Sequence, residues 1–290
     1  MPYTFFPPDS RAAGTGNPPA DINNVEDILT GMGAALNVLN TAWAGGADPT
    51  GAADSTAAIN AALAAASPGQ TVTGQGVFKT TGPLLIPSGV ELRGTAPATQ
   101  SGNNASSDWG LVLKPSASWT AGAQPVPGVI TLNAVNRPSV RDVWIDGSAS
   151  PAGVDGIASY GAVNAATILR TGIYHTTGNG ISAVPDGSGN GPDGWHADTV
   201  IVQQAGGHGF TGRCPDAALV NMHCQSCTGD GFSVTAGGNW RMIGCRADLC
   251  TNGFTLDCYP GSGYGDSVIL IGCGTQRNAR NGLNVINSSA

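Results

Sequence analysis

Apolar and polar positions alternate in short runs along this chain, and a recurring corner separates the runs. Between Asp155 and Leu283 a polar residue, a glycine and an apolar residue follow one another six times. They read Asp155-Gly156-Ile157, Asn179-Gly180-Ile181, His208-Gly209-Phe210, Asp230-Gly231-Phe232, Asn252-Gly253-Phe254 and Asn281-Gly282-Leu283. The steps between the glycines are 24, 29, 22, 22 and 29 residues. Ahead of each corner lies a β-branched or apolar run: Val140–Ile145, Thr167–Ile173, Val200–Val202, Ala218–Met222, Arg241–Ile243 and Val268–Ile271. Behind it comes a second alternating run, such as Phe232-Ser233-Val234 or Phe254-Thr255-Leu256. One repeat is therefore strand, tight turn, strand, variable loop. Asn, Asp and Gly tolerate the left-handed backbone of a sharp corner, which is the role expected of these glycines.

Self-similarity at this period marks a solenoid. The unit is too short for a propeller blade of about 40 residues, and it lacks the leucine-rich frame. A β-sandwich would place strands about every 8–12 residues but gives no reason for one identical corner at each repeat. The pattern predicts an all-β, right-handed parallel β-helix over residues 76–290, with the signature glycines stacked from rung to rung about 4.8 Å apart.

Residues 1–20 are rich in Pro, Gly and Asn and read as an extended arm. Asp21 then caps a helical segment whose larger apolar residues are Ile22, Val25, Leu29, Met32, Leu36 and Leu39, spaced 3, 4, 3, 4, 3. Gly31 and Gly33 each weaken it by about 1 kcal/mol. The spacing suits an amphipathic helix packed on its own domain and equally a short oligomerising coil. In the second case three copies pair through Val25, Leu29, Met32 and Leu36, giving a homotrimer. A second helix starts near Asp54, with Ile59, Ala62, Leu63 and Ala66 on one face, and stops at Ser67-Pro68-Gly69. It would cover the open first rung. The expected organisation is an arm and oligomerising helix over 1–43, a capping segment over 44–75 and the coil over 76–290.

Composition narrows the partners. A formal net charge of −7 leaves no basic face to displace counterions, so neither nucleic acid nor an anionic membrane is an expected partner. The N-terminus has no basic n-region followed by an apolar run, and no stretch reaches the ~18 apolar residues of a membrane span. The seven cysteines are an odd number, all between Cys214 and Cys273. Cys224, Cys245 and Cys273 read as small buried side chains stacked in successive rungs. Cys224 and Cys227 have no second pair of matching spacing, so no metal and no other cofactor is expected.

Gly46, Ala47, Gly51, Asp54, Thr56, Ala58 and Ile59, then Leu84 and Pro87 through Gly94, resemble the opening motif of the pectate-lyase-like parallel β-helix superfamily. Pro49, Thr50 and Ser55 depart from it. The resemblance implies the fold; the superfamily holds lyases, glycosidases, epimerases and non-catalytic binders. Of the four polygalacturonase signatures only Gly207-His208-Gly209 is present, and His208 falls on the corner register shared with Asn179, Asp230 and Asn252. That glycosidase mechanism is therefore not expected. No acidic cluster suggests a calcium-dependent lyase.

A β-helix with an N-terminal arm, a heptad helix and no signal peptide is similar to a bacteriophage tail spike or tail fibre. The resemblance implies assembly in the host cytoplasm and location in the virion tail. Residues 1–40 would contact tail or baseplate proteins, and the coil would bind, or bind and depolymerise, host polysaccharide. A free polysaccharide lyase or glycosidase, or a structural tail component, stays as the alternative. The two 29-residue steps place the site. Their extra residues, Pro185–Gly194 and Tyr259–Asp266, would wall a groove on one corner of the coil. Asp193, Asp216 and Asp257 are the candidate catalytic carboxylates. Trp195, His196, Arg213, Trp240, Tyr259 and Tyr264 are the candidate substrate-binding residues, with Asp186 and Asp266 beside them.

Overall fold

The computed structural model describes residues 35–96, 110–235, 238–257 and 267–286. Three parallel sheets of nine, nine and eight strands make up the fold among these residues. The first sheet runs from Leu36–Asn37 to Ser267–Ile271, the second from Thr50–Asp54 to Gly274–Gln276, and the third from Leu84–Leu85 to Leu283–Ile286. The chain visits first, second and third sheet in turn, and each strand pairs in parallel with its counterpart one turn on. This is a parallel β-helix. In the opening turn, helix α1 (Thr56–Ala65) stands where later turns place a third-sheet strand, burying Ala58, Ile59, Ala62 and Leu63. Ser55, not Asp54, occupies its N-cap. Asp54 instead accepts from the backbone N–H and hydroxyl of Thr56 and the hydroxyl of Thr81, tying the helix start to the next turn.

The first strand lies ahead of the expected start at residue 76. Leu36–Asn37 pairs with Val72 and Thr73, and Leu36 and Val38 enter the core. The helix expected around residues 21–40 is therefore not helical at its end: a backbone paired to a neighbouring strand cannot also make helical bonds. Residues 1–34, with Val25, Leu29 and Met32, lie outside the described residues.

Each signature glycine opens a third-sheet strand, in the predicted stack, but for a different reason. None of the six has a left-handed backbone. Space is what excludes a side chain: a Cβ on Gly180 would lie 2.5 Å from the carbonyl oxygen of Gly209, and one on Gly209 would lie 2.6 Å from that of Gly231. The left-handed residues sit at the other corners. Arg170, Thr199 and Asn221 turn the chain from first to second sheet; His175, Gln204, Ser226 and Leu249 turn it from second to third. Their N–H groups each reach a carbonyl of the next rung, so the ladder runs unbroken through the corner. Those bonds offset a cost of about 1–2 kcal/mol per left-handed residue.

The polar residue of each signature forms a second ladder. Asp155 accepts from the N–H of Asn179, Asn179 from that of His208, His208 Nδ1 from that of Asp230, Asp230 from that of Asn252, and Asn252 from that of Asn281. His208 is thus a rung of the scaffold. Burial pushes the Asp155 carboxyl up, against the hydrogen bonds it accepts from the N–H and side chain of Asn179. Inside the coil, Phe232 stacks in register on Phe254 at 4.8 Å with rings 5° from parallel, and Trp240 of the first sheet meets Phe210 of the third edge-on at 5.8 Å. Of the six described cysteines all but half-buried Cys273 are buried, but Cys224 is in register with Val202 and Ala247, not with Cys245.

Candidate functional site

The returns from third to first sheet differ in length. Most returns are short, but the segment from Pro185 to Trp195 projects. Asp186 shapes it: one carboxylate oxygen accepts the N–H groups of Ser188 and Asn190, and the other accepts the Asn190 side chain. The Asn190 amide leads the hydrogen bonds that hold this carboxyl below its usual range, against a smaller opposing effect of burial. Asp186 is therefore committed to its own loop.

The loop rejoins the coil at Asp193. Its N–H donates to Val163 and its carbonyl accepts from Ala165, while the next N–H, of Gly194, donates to Pro215. The backbone is pinned between two rungs, and the exposed Asp193 carboxylate has no partner among the described residues. Half-buried Arg213, held through its N–H to Ala183, has no ion pair among the described residues. Asp216 takes a left-handed backbone and accepts from Asn239, which in turn accepts from Ser267.

Asp193, Arg213 and Asp216 line one cavity of about 580 Å³, with Gly189, Asn190 and Gly191 as its wall and Asn164 and Asn239 at its ends. A second volume, of about 800 Å³, continues from Asn164 past Asn136 and Arg137 to Ser88 and Pro68. Asn164 belongs to both and donates to Asn136 at 2.9 Å. The two form a groove along the corner from the rung of Pro68 to that of Asn239. Seven successive rungs at β spacing make it about 29 Å long.

The structure thus brings together three of the nine candidates. His196 is exposed at the start of a first-sheet strand, between Thr167 and Ala218. Asp257 pairs in register with Thr235 and is not one of the residues that line the cavity. Trp195 and Trp240 do not wall the groove. Each is 1% exposed, inside the coil, and Trp195 Nε1 donates to the carbonyl of Val163. An enclosed ring has no face to offer a sugar, so their assignment to substrate binding is corrected. Tyr259, Tyr264 and Asp266 lie outside the described residues. The amides Asn136, Asn164 and Asn239 were missed because Asn at a turn carries no signal that separates ladder from groove.

A further polar cluster on the outer face of the second sheet also went unread. Asp248 is held by His223 Nε2 at 3.1 Å and by Arg246. Among the described residues no group of three or more His, Cys, Asp or Glu is arranged to hold a metal ion, and no helix is long and apolar enough to cross a membrane.

Compared with known families, residues 41–255 match the profile described as rhamnogalacturonase A/epimerase, pectate lyase-like. The chain belongs to that family. Among solved structures it is similar to the catalytic unit of a thermostable GH87 α-1,3-glucanase from Streptomyces thermodiastaticus, at 17% identity and a TM-score of 0.56 over 83% of this chain. It is also similar to the pre-mature gene product 12 of bacteriophage phi29, at 14% identity and a TM-score of 0.53 over 92% of this chain. The chain spans 47% of the first and 36% of the second, so these likenesses speak for the fold alone. No curated protein sequence matches it.

Proposed function

We propose that this β-helix recognises a polysaccharide laid along the third-to-first corner, as a tail-spike-like or tail-fibre-like component of a phage or phage-like particle. The observation that carries the reading is the groove itself. Many polar side chains on this coil are consumed in ladders, yet Asp193 and Arg213, which line one cavity, have no side-chain partner among the described residues. Such groups gain most from a ligand that supplies hydroxyl donors and acceptors in a row. A bacteriophage protein and a glucan-cleaving catalytic unit among similar folds are consistent with both halves of the proposal. Residues 1–40 would supply the virion contact and the trimer, with host-surface polysaccharide as the other partner. The test is a panel of bacterial surface polysaccharides, with the mass of the full chain measured alongside. The reading expects one glycan class to bind and a trimer that Leu29→Asp dissociates. Binding to none, with the chain folded, would remove it.

Cleavage is a second reading, favoured by one feature: Asp193 and Asp216 stand on consecutive rungs and line the same cavity. Glycoside hydrolysis uses carboxyl pairs about 5–10 Å apart. New reducing ends that disappear in Asp193→Asn would favour it over binding alone.

A further inference from the structure

Among the described residues that line the groove, Asp193, Arg213 and Asp216 carry charge in its first volume and Arg137 in its second. The rest of that lining is uncharged, with amides such as Asn164 and Asn239 supplying polar groups. Cations and anions balance, so the groove has no net charge. The chain has few further cations to lend it. Of its 12 lysines and arginines only Arg11 falls outside the described residues, and of the others only Arg137 and Arg213 line the groove. Arg93, Lys114, Arg141, Arg170 and Arg246 are held in ion pairs elsewhere.

Arg213 by itself would suit an acidic sugar, but its cavity does not. Asp193, which has no side-chain partner among the described residues, and Asp216, whose partner is the neutral amide of Asn239, line the same volume. Asp186 adds a carboxylate in the loop that forms the wall, held ionised by hydrogen bonds from Asn190 and Ser188. An anion drawn to Arg213 is therefore repelled by carboxylates of the same cavity. Arg137 does not relieve this. It leads into the strand Ser139–Arg141 and Arg213 into Ala218–Val220, three rungs on. That separation is about 14 Å at β spacing, beyond the screening length of about 8 Å at physiological salt. A polyuronate carries a carboxylate on every sugar, so several would lie against guanidiniums that the groove's own acids already offset. A hydroxyl suits both signs, since it accepts from a guanidinium and donates to a carboxylate.

We infer that the groove takes an uncharged polysaccharide and rejects polyuronates and sulfated glycans. This rests on the groove's being the polysaccharide site, and it names the class of glycan for that site. The probes are bacterial surface polysaccharides, each acidic one paired with its own carboxyl-reduced or desulfated form. The glycan that binds should be uncharged, or be bound only after that conversion, with an affinity that changes by less than about twofold between about 50 and 500 mM NaCl. An acidic glycan should bind at least about tenfold more weakly than its uncharged form. Asp193→Asn combined with Asp216→Asn should narrow that gap, because the repelling charges are gone while the amides keep the shape. Both residues are exposed, and an unchanged urea midpoint confirms that the variant folds. An acidic glycan that binds more tightly than its uncharged form, and weakens as salt rises, overturns the inference; if Arg213→Ala also weakens that binding, the groove remains the polysaccharide site. A gap that the double variant leaves unchanged overturns it as well. Binding of none of the glycans removes both the polysaccharide reading and the inference.

Discussion

Substituting Gly209 by Ala tests why the signature glycines are there. The added Cβ would sit 2.4 Å from Cys224 Sγ and 2.6 Å from the carbonyl oxygen of Gly231, where non-bonded carbon contacts favour about 3.5–4.0 Å. The sulfur can yield by rotation. The carbonyl cannot, because it accepts the N–H of Phe210 at 2.9 Å. Overpacking of this kind costs about 1–3 kcal/mol, and a weakened ladder bond adds about 1 kcal/mol. The expected loss is therefore about 2–4 kcal/mol. Gly274 is the control, since nothing lies within 4 Å of its Cβ position and its backbone is not left-handed. Gly274→Ala should be neutral or stabilise by about 0.4–1 kcal/mol, through the unfolded chain. Adding Cys224→Ala to Gly209→Ala should cost less than the two losses summed, because one obstacle is gone. Urea unfolding reads these differences as midpoint shifts at constant slope. A Gly209→Ala protein within about 0.5 kcal/mol of the parent, no further off than an ordinary surface substitution, would refute the close-approach account.

Trp240→Ala should destabilise by about 3–5 kcal/mol, as for any buried aromatic, yet leave saccharide affinity unchanged in the folded protein; calorimetric titration well below the melting temperature checks it. At acid pH the capping segment should loosen. The Ala53 N–H, followed by the hydroxyl and N–H of Thr50, holds the Asp48 carboxyl down from 3.8 to about 2. Its folded value is below its unfolded one, so its contribution is present above about pH 4 and is lost as pH falls through about 2. Asp48→Asn should flatten the pH dependence of melting in that window. Asp155, raised by burial, acts with the opposite sign: stability falls as pH rises above its unfolded value, so Asp155→Asn should gain relative to the parent at neutral pH.

Much of the coil is legible in the chain because its period is set by three short strands and one crowded corner. That corner admits only glycine, and the polar residue before it must accept an N–H from the rung below, so both leave a visible mark. The left-handed corners leave none: Arg170, His175, Gln204 and Leu249 share no chemistry, since the inter-rung ladder and not the residue type sustains their backbone. Leu36 fitted a heptad spacing but belongs to a strand, where its alternation with Val38 is what counts. Trp240 was misread although the signal was present. Asn239, Arg241 and Ile243 face outward, so the alternation already turned Trp240 and Met242 inward. The wall built by the longer repeat was readable from length alone, and Asp193, Arg213 and Asp216 followed from it. Which amides join them depends on register across rungs, which no local window contains.

The central claim, that a polysaccharide lies along the corner from Asn164 to Asn239, is tested most directly by the affinity of a bound oligosaccharide for Arg213→Ala. A charge-assisted hydrogen bond contributes about 1.5–3 kcal/mol, so the variant should bind about 10- to 150-fold more weakly with unfolding unchanged. An affinity equal to that of the parent protein would place the polysaccharide elsewhere on the coil.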